Sequence, residues 1–366
     1  MINKKLFKRF DYITLIIAII IVAFGSLNIY SATYANYGFY YLKSQIIWLL
    51  LGIVLVFIII LVDYKKILHY SYWVYWVGIV LVLYTDFATK AIKGASSWIQ
   101  VGSLSIQPGE FAKIGLILVL AKEIEDMKGD VNKPRNLLIL SLYTLIPIVL
   151  IIKQPNLGMA MICFFIAFGI LYVSGLNLKI IFGGILVMIP FSLLVWFSGL
   201  LKAYEKSRII GFLNPGAYQQ SIAFQLTQSI IGIGSGSILG KGFLKGIQVS
   251  GGFVPEAQTD FIFSVVGEEW GLIGAIALLI LYGILLYRII KLAESSENIT
   301  GRLICVGTVA SFLFSIFQNI GMTIGLLPIA GITLPFMSYG GSSIITNFIS
   351  LGLVLNVGIR RKKINF

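Results

Sequence analysis

Long apolar runs separated by short polar stretches fill most of the chain. A helix that crosses a bilayer needs about 20 mostly apolar residues, and ten segments of this kind can be marked. They lie at 12–33, 43–62, 71–89, 108–121, 136–152, 157–174, 178–199, 261–287, 303–326 and 338–359. The pattern predicts an all-α polytopic membrane protein of about ten transmembrane helices, with residues 1–366 as one membrane domain. The first run follows a basic tail as a signal peptide would. Its apolar stretch is longer than a cleaved signal carries, so it reads as an uncleaved span. No internal repeat is visible, which weakens a reading as an inverted-repeat transporter.

Charge sets the expected orientation. Basic residues gather where the runs end: Lys4, Lys5, Lys8 and Arg9 before the first, Lys65 and Lys66 after the second, Arg360 to Lys363 after the last. With both termini inside, every predicted cytoplasmic loop carries Lys or Arg, as the positive-inside rule requires. The expectation is N-in and C-in, with one long external loop, residues 200–260, between spans seven and eight.

Composition closes off other classes. The chain is 58% hydrophobic and 12% charged, with a net charge of +13, and its mean hydropathy is +0.94. Soluble proteins carry about 25% charged residues, so a soluble enzyme is excluded. The excess positive charge is topological, and no basic, aromatic-interleaved module is present to bind nucleic acid. Cys163 and Cys305 lie deep in apolar runs, and His69 is the lone histidine. Disulfide frameworks, zinc sites and histidine triads are therefore not expected.

The long loop contains Gln219–Ile233, a helix-like stretch expected at the membrane interface, and then Gly232-Ile-Gly234-Ser-Gly236-Ser-Ile-Leu-Gly240-Lys241-Gly242. The glycine spacing is wrong for a phosphate loop, and Gly242 stands where Ser or Thr is needed, so the stretch reads as a flexible turn region. Lys202, Lys206, Arg208, Lys241 and Lys245 face Glu205 and Glu256 in this loop. They suit either lipid headgroups or a phosphorylated substrate, for which Arg gives bidentate contact.

Ionisable groups in or beside spans are the sharper signal. Glu110 and Lys113 open the fourth run on one helix face, as an ion pair, a wall of a polar cavity, or both. Asp260 stands at the mouth of the eighth run, as a helix-start acid or as a base able to deprotonate a hydroxyl. Glu268 and Glu269 follow about two turns deeper, pointing in different directions, so at least one is expected to bond a neighbouring helix. The Gly, Pro and Ser-rich stretch 325–343 implies non-helical backbone lining a cavity. Residue chemistry alone leads to a polar external cavity for an anionic substrate. A transporter remains open, although a flippase needs a polar path through the whole membrane and these charges gather at the outer face.

Five motifs in order resemble the SEDS family (shape, elongation, division and sporulation). They are Asn28-Ile-Tyr-Ser31-Ala-Thr33; Gly94-Ala-Ser-Ser-Trp98 followed by Gln107-Pro-Gly-Glu110-Phe-Ala-Lys113; Gln154-Pro-Asn156-Leu-Gly158; Phe253-Val-Pro-Glu256 through Thr259-Asp260-Phe261 to Gly267-Glu268-Glu269; and Pro335-Phe-Met-Ser338-Tyr-Gly-Gly-Ser342-Ser343. Two positions depart from the family pattern: Asn156 stands where Asp is common, and Ser96 or Ser97 where a basic residue is frequent.

The resemblance implies a peptidoglycan glycosyltransferase that polymerises lipid II at the outer face of the bacterial cytoplasmic membrane. Asp260 would be the general base and undecaprenyl diphosphate the leaving group. Glu110, Lys113, Arg208, Ser338, Ser342 and Ser343 would be substrate-binding, and the scheme leaves room for a divalent metal ion (Mg2+ or Mn2+). A class B penicillin-binding protein, which is a transpeptidase, would be the partner. The short tails and the Asn28 and Phe253 motifs resemble the RodA-type elongation branch. The alternatives are a lipid II flippase, a non-catalytic scaffold for the transpeptidase, or a division or sporulation paralogue with the same chemistry.

Overall fold

Polar residues mark where the apolar runs become helices. Asp11 caps α1 (Tyr12–Tyr37), its carboxylate accepting from the Thr14 amide at 3.3 Å and hydroxyl at 2.6 Å. Asp63 caps the short α3 (Tyr64–His69) that follows α2 (Tyr40–Leu61), accepting from the Lys65 amide at 2.9 Å. Asn156 caps α7 (Leu157–Val173) through the Met159 amide at 3.2 Å. Proline occupies the first turn of α5 (Pro108–Asp126) and α6 (Pro134–Lys153), where its missing N–H has no helical partner to lose.

The computed structural model describes residues 9–88, 97–101, 104–197, 206, 210–212 and 222–360. The remaining elements are α4 (Ser71–Ala88), α8 (Leu178–Phe197), α9 (Ile222–Ser235), a single turn α10 (Ile247–Ser250), α11 (Ile262–Glu294), α12 (Ile299–Thr323) and α13 (Gly341–Ile359). Each of the ten apolar runs coincides with a helix of at least 17 residues. Among the described residues, six helices are long and apolar enough to cross a membrane by length and composition, and two more are apolar but shorter. The all-α expectation has one small exception. An antiparallel hairpin of β1 (Ile99–Val101) and β2 (Leu104–Ile106), with Ile99 opposite Ile106, leads into α5.

The bundle is organised around α13, of which 89% of the apolar window is buried, against 22% for α2 and for α6. Asn356 fastens α13 to the α2–α3 turn. It donates to the Ile59 and Val62 carbonyls at 2.6 Å each and accepts from the Tyr64 amide at 3.1 Å. Arg360 adds an ion pair to Asp63 at 3.2 Å. Arg288 of α11 in turn reaches Asp11 at 2.6 Å. Burial alone would raise the Asp11 carboxyl, but hydrogen bonds from Arg288 and Thr14 bring it below the usual carboxylate value.

One helix is broken. Gly271 in α11 has φ 63° and ψ −161°, a conformation open to glycine alone. Residues 237–242 supply partners to four backbone groups around the break. The Lys241 and Gly242 amides donate to the Glu268 and Glu269 carbonyls at 3.0 Å each, while the Leu272 and Ile273 amides donate to Ser237 and Ile238 at 3.0 and 3.2 Å. A Cβ on Gly271 would stand 2.4 Å from the Gly240 nitrogen. The Gly232–Gly242 stretch, read from sequence as a flexible turn, instead divides: residues 232–235 end α9, and residues 237–242 are inserted backbone that pairs with the broken helix. Non-helical backbone inside an apolar bundle requires such pairing.

Candidate active site

Residues 253–261 lead into the head of α11 and carry Asp260. Val254 and Ala257 are buried at 3% exposure each and anchor the segment. Glu256 adopts φ 57°, and its carbonyl accepts from the Thr259 and Phe261 amides at 3.1 and 3.2 Å. A tight turn results, tied further by the Thr259 hydroxyl on the Glu256 carboxylate at 3.2 Å. Phe261, not Asp260, is the N-cap of α11, and its own side chain makes no capping bond. Asp260 is thus half-buried just ahead of the helix, one position before its cap.

The second wall is the non-helical stretch between α12 and α13. Leu334, Phe336 and Met337 are at most 1% exposed, with Phe336 packed edge-on against Phe312 and Phe348. The Tyr282 hydroxyl of α11 donates to the Pro335 carbonyl at 2.6 Å. Gly25 of α1 lets the stretch approach closely, since a Cβ there would meet the Met337 carbonyl oxygen at 2.4 Å. Ser338 accepts from the Leu334 amide at 2.8 Å and donates to the Thr259 carbonyl at 2.6 Å. Beside it the Tyr339 amide donates to the Gln258 carbonyl at 2.9 Å. The Asn319 amide of α12 donates to the Asp260 carbonyl at 2.9 Å and the Ile332 carbonyl at 2.7 Å.

Beneath this wall is a buried charged network. Lys113 Nζ is 2.5 Å from Glu110 Oε2, and both side chains are 4% exposed. The Thr346 hydroxyl donates to Glu110 at 2.7 Å, and Lys113 reaches Asn347 at 3.5 Å. Asn347 in turn donates to Ser343 at 3.3 Å, and Ser343 shares a hydrogen bond with Thr333 at 2.9 Å. Ser342 accepts from the Gln107 amide at 3.1 Å and donates to the Ser105 carbonyl at 3.3 Å, joining the β-hairpin to α13. The ion pair expected from spacing is present, and α13 supplies the polar groups that make two charges tolerable in the interior.

Glu268 and Glu269 both meet the long loop, and only Glu269 also bonds a neighbouring helix. Glu268 turns toward the long loop, accepting from Lys241 at 2.8 Å and from the Gln248 and Val249 amides of α10 at 2.9 and 3.1 Å. Glu269 accepts from the Ser31 hydroxyl of α1 and also from the Leu244 and Gly246 amides of the same loop.

The structure therefore brings Asp260 and Ser338 into one cluster and Glu110, Lys113, Ser342 and Ser343 into another, with residues 332–343 running between them. Arg208, Lys202, Glu205 and Ser96 lie outside the described residues; Lys245 is exposed and Ser97 buried. Sequence reasoning missed Asn319, Thr346 and Asn347, although amides and hydroxyls inside apolar spans were a usable sign of interior bonding. Among the described residues, no three His, Cys, Asp or Glu side chains come together to hold a metal ion.

The fold and site define a class, a multi-pass helical membrane protein with a carboxylate at the head of a broken helix. The chain belongs to the FtsW, RodA and SpoVE family of cell cycle proteins, whose profile matches residues 7–363. It is 35% identical to a probable peptidoglycan glycosyltransferase FtsW of Geobacter metallireducens, over 98% of this chain and 97% of the relative. It is 31% identical to the peptidoglycan glycosyltransferase MrdB of Escherichia coli K12, over 99% and 98%. The fold matches the crystal structure of Thermus thermophilus RodA with a TM-score of 0.73 at 29% identity, covering 97% of this chain and 98% of that one. It also matches, at a TM-score of 0.82 and 30% identity over 95% and 97% of the chains, a structure described as structural coordination of polymerization and crosslinking by a peptidoglycan synthase complex.

Proposed function

We propose that this protein is a peptidoglycan glycosyltransferase that polymerises lipid II at the outer face of the bacterial cytoplasmic membrane, with Asp260 as its general base. The observation that carries the reading is the placement of Asp260. A half-buried carboxylate stands just ahead of a helix, its own carbonyl held by Asn319 of α12 and the preceding carbonyl by Ser338. Family membership supports the activity, and the distribution of Lys and Arg supports N-in, C-in topology with the 200–260 loop outside.

The chemistry balances without a covalent enzyme intermediate. The Asp260 carboxylate takes the proton of the acceptor sugar's 4-hydroxyl as its oxygen attacks the anomeric carbon of the donor. The bond from that carbon to the diphosphate oxygen breaks, and undecaprenyl diphosphate leaves. A single displacement inverts the carbon, so an α-linked donor gives a β-linked glycan. Fixing acceptor and base in reacting geometry supplies much of the acceleration, and cations offset the charge on the departing diphosphate. Lys113 is buried against Glu110, which leaves Arg208 as the basic residue proposed for direct diphosphate contact. A divalent ion would be held by the substrate's diphosphate together with Glu256, in the manner of Mg2+ sites built from one or two carboxylates and phosphate. It would supply charge neutralisation there.

The lipid tails would lie between the helices, and a class B penicillin-binding protein would cross-link the new strand. The elongation branch remains the proposed subtype, although relatives named FtsW and RodA match at similar identity, 35% and 30%. The test is polymerisation of lipid II by the purified protein, with and without a class B partner. The expected result is long β-linked glycan. Movement of labelled lipid II across vesicles with no glycan formed would replace this reading with the flippase.

A further inference from the structure

Three consecutive peptide carbonyls, those of Gln258, Thr259 and Asp260, are each held by a donor from the α12–α13 region. The donors are the Tyr339 amide at 2.9 Å, the Ser338 hydroxyl at 2.6 Å and the Asn319 side-chain amide at 2.9 Å. Only the last comes from within a regular helix. Asn319 is fully buried in α12, and its one NH2 group also donates to the Ile332 carbonyl at 2.7 Å. A rigid span thus grips both walls of the site through a single side chain. Its neighbour Gln318 also donates to the loop, at the Pro328 carbonyl at 2.8 Å, but does not reach the 258–260 carbonyls.

We infer that Asn319 is a positioning residue, holding the Asp260 backbone so that its carboxylate meets the acceptor hydroxyl; this rests on Asp260 being the base. An amide is suited to the task. Both its N–H bonds serve carbonyls from separate segments, which neither a hydroxyl nor a carboxylate can do at neutral pH. Asp260 lies ahead of the regular helix, so the tie on its carbonyl helps set where its carboxylate stands. Small misplacements of a reacting group are expensive in rate.

The experiment compares wild type, Asn319→Ala, Asn319→Asp, Gln318→Ala and Asp260→Ala as purified full-length proteins, with lipid II as substrate and a class B partner present. Thermal unfolding and hydrogen exchange of the 256–264 region are followed in parallel. The expected result is a fall in kcat of roughly ten- to a hundredfold in both Asn319 variants. KM stays within about twofold, because the clamp acts on the reacting geometry and not on substrate affinity. Exchange at 256–264 rises, and Gln318→Ala keeps its kcat. Asn319→Asp preserves shape and volume, so it answers the question if Asn319→Ala does not fold. Wild-type kcat in a folded Asn319 variant, with Asp260→Ala inactive, overturns the positioning role alone. Equal losses in Gln318→Ala and Asn319→Ala overturn it too, since they show general loop support. Full polymerisation by Asp260→Ala removes the base assignment and this inference with it.

Discussion

Two buried carboxylates, Glu110 and Glu268, are each paired with a lysine, yet they solve different problems. Glu110 and Lys113 belong to one turn of α5, and both are 4% exposed. Glu268 and Lys241 come from different segments, and the lysine is 25% exposed. The first pair is a closed unit whose remaining bonding capacity is met by Thr346 and Asn347. The second is a fastener, in which one carboxylate holds a lysine and two α10 amides and so keeps the long loop against the break in α11. Local pairs make charge tolerable inside the bundle. Long-range pairs decide which segment lies beside which.

The comparison yields graded predictions. Glu110→Ala leaves the Lys113 ammonium buried and unpaired, and should cost about 3–5 kcal/mol in detergent unfolding. Adding Lys113→Met should recover most of that loss; no recovery would mean that the network, not the pair, carries the stability. Glu268→Ala should cost less, about 1–3 kcal/mol, because two amides lose their acceptor while Lys241 can turn to water. Its larger consequence is local, so proteolysis or exchange within 237–250 should rise well before the bundle melts. A Glu268→Ala protein whose loop stays as protected as wild type would break the contrast between closed unit and fastener.

Two smaller effects test the helix ends. The Asp11 carboxyl is depressed in the folded state, so its stabilisation is present above the ordinary carboxylate value and disappears as pH falls through the lower, folded one. Wild type and Asp11→Asn should therefore differ in Tm at pH 7 and converge at strongly acidic pH. A difference that persists there would assign the effect to shape and not to charge. Asn156→Asp, which restores the residue common in the family, should change stability by less than about 0.5 kcal/mol, since Asn and Asp cap helices equally well. A larger shift in thermal unfolding would give that position a role beyond the Met159 amide.

What could be read from the chain follows the same division between local and long-range. The ten apolar runs and the Glu110–Lys113 spacing are properties of neighbouring residues, and helical geometry alone determines them. The Gly232–Gly242 stretch was misread because its partners lie some thirty positions away, across a helix break marked only by Gly271. Asn319 was overlooked for a related reason. A lone amide in an apolar span announces that it bonds something, but not that its partner is the Asp260 carbonyl. Asn156 was the opposite case, a departure from the family pattern at which the structure shows a local role, the cap on the Met159 amide.

The central claim is that Asp260 performs the proton transfer of glycan synthesis. The most direct measurement is single-substrate lipid II polymerisation by purified wild type and Asp260→Ala, with the class B partner present and folding verified by matching thermal unfolding. The account predicts long glycan strands from the wild type and none from the variant. Strands of equal length and rate from both would contradict it and place the base elsewhere.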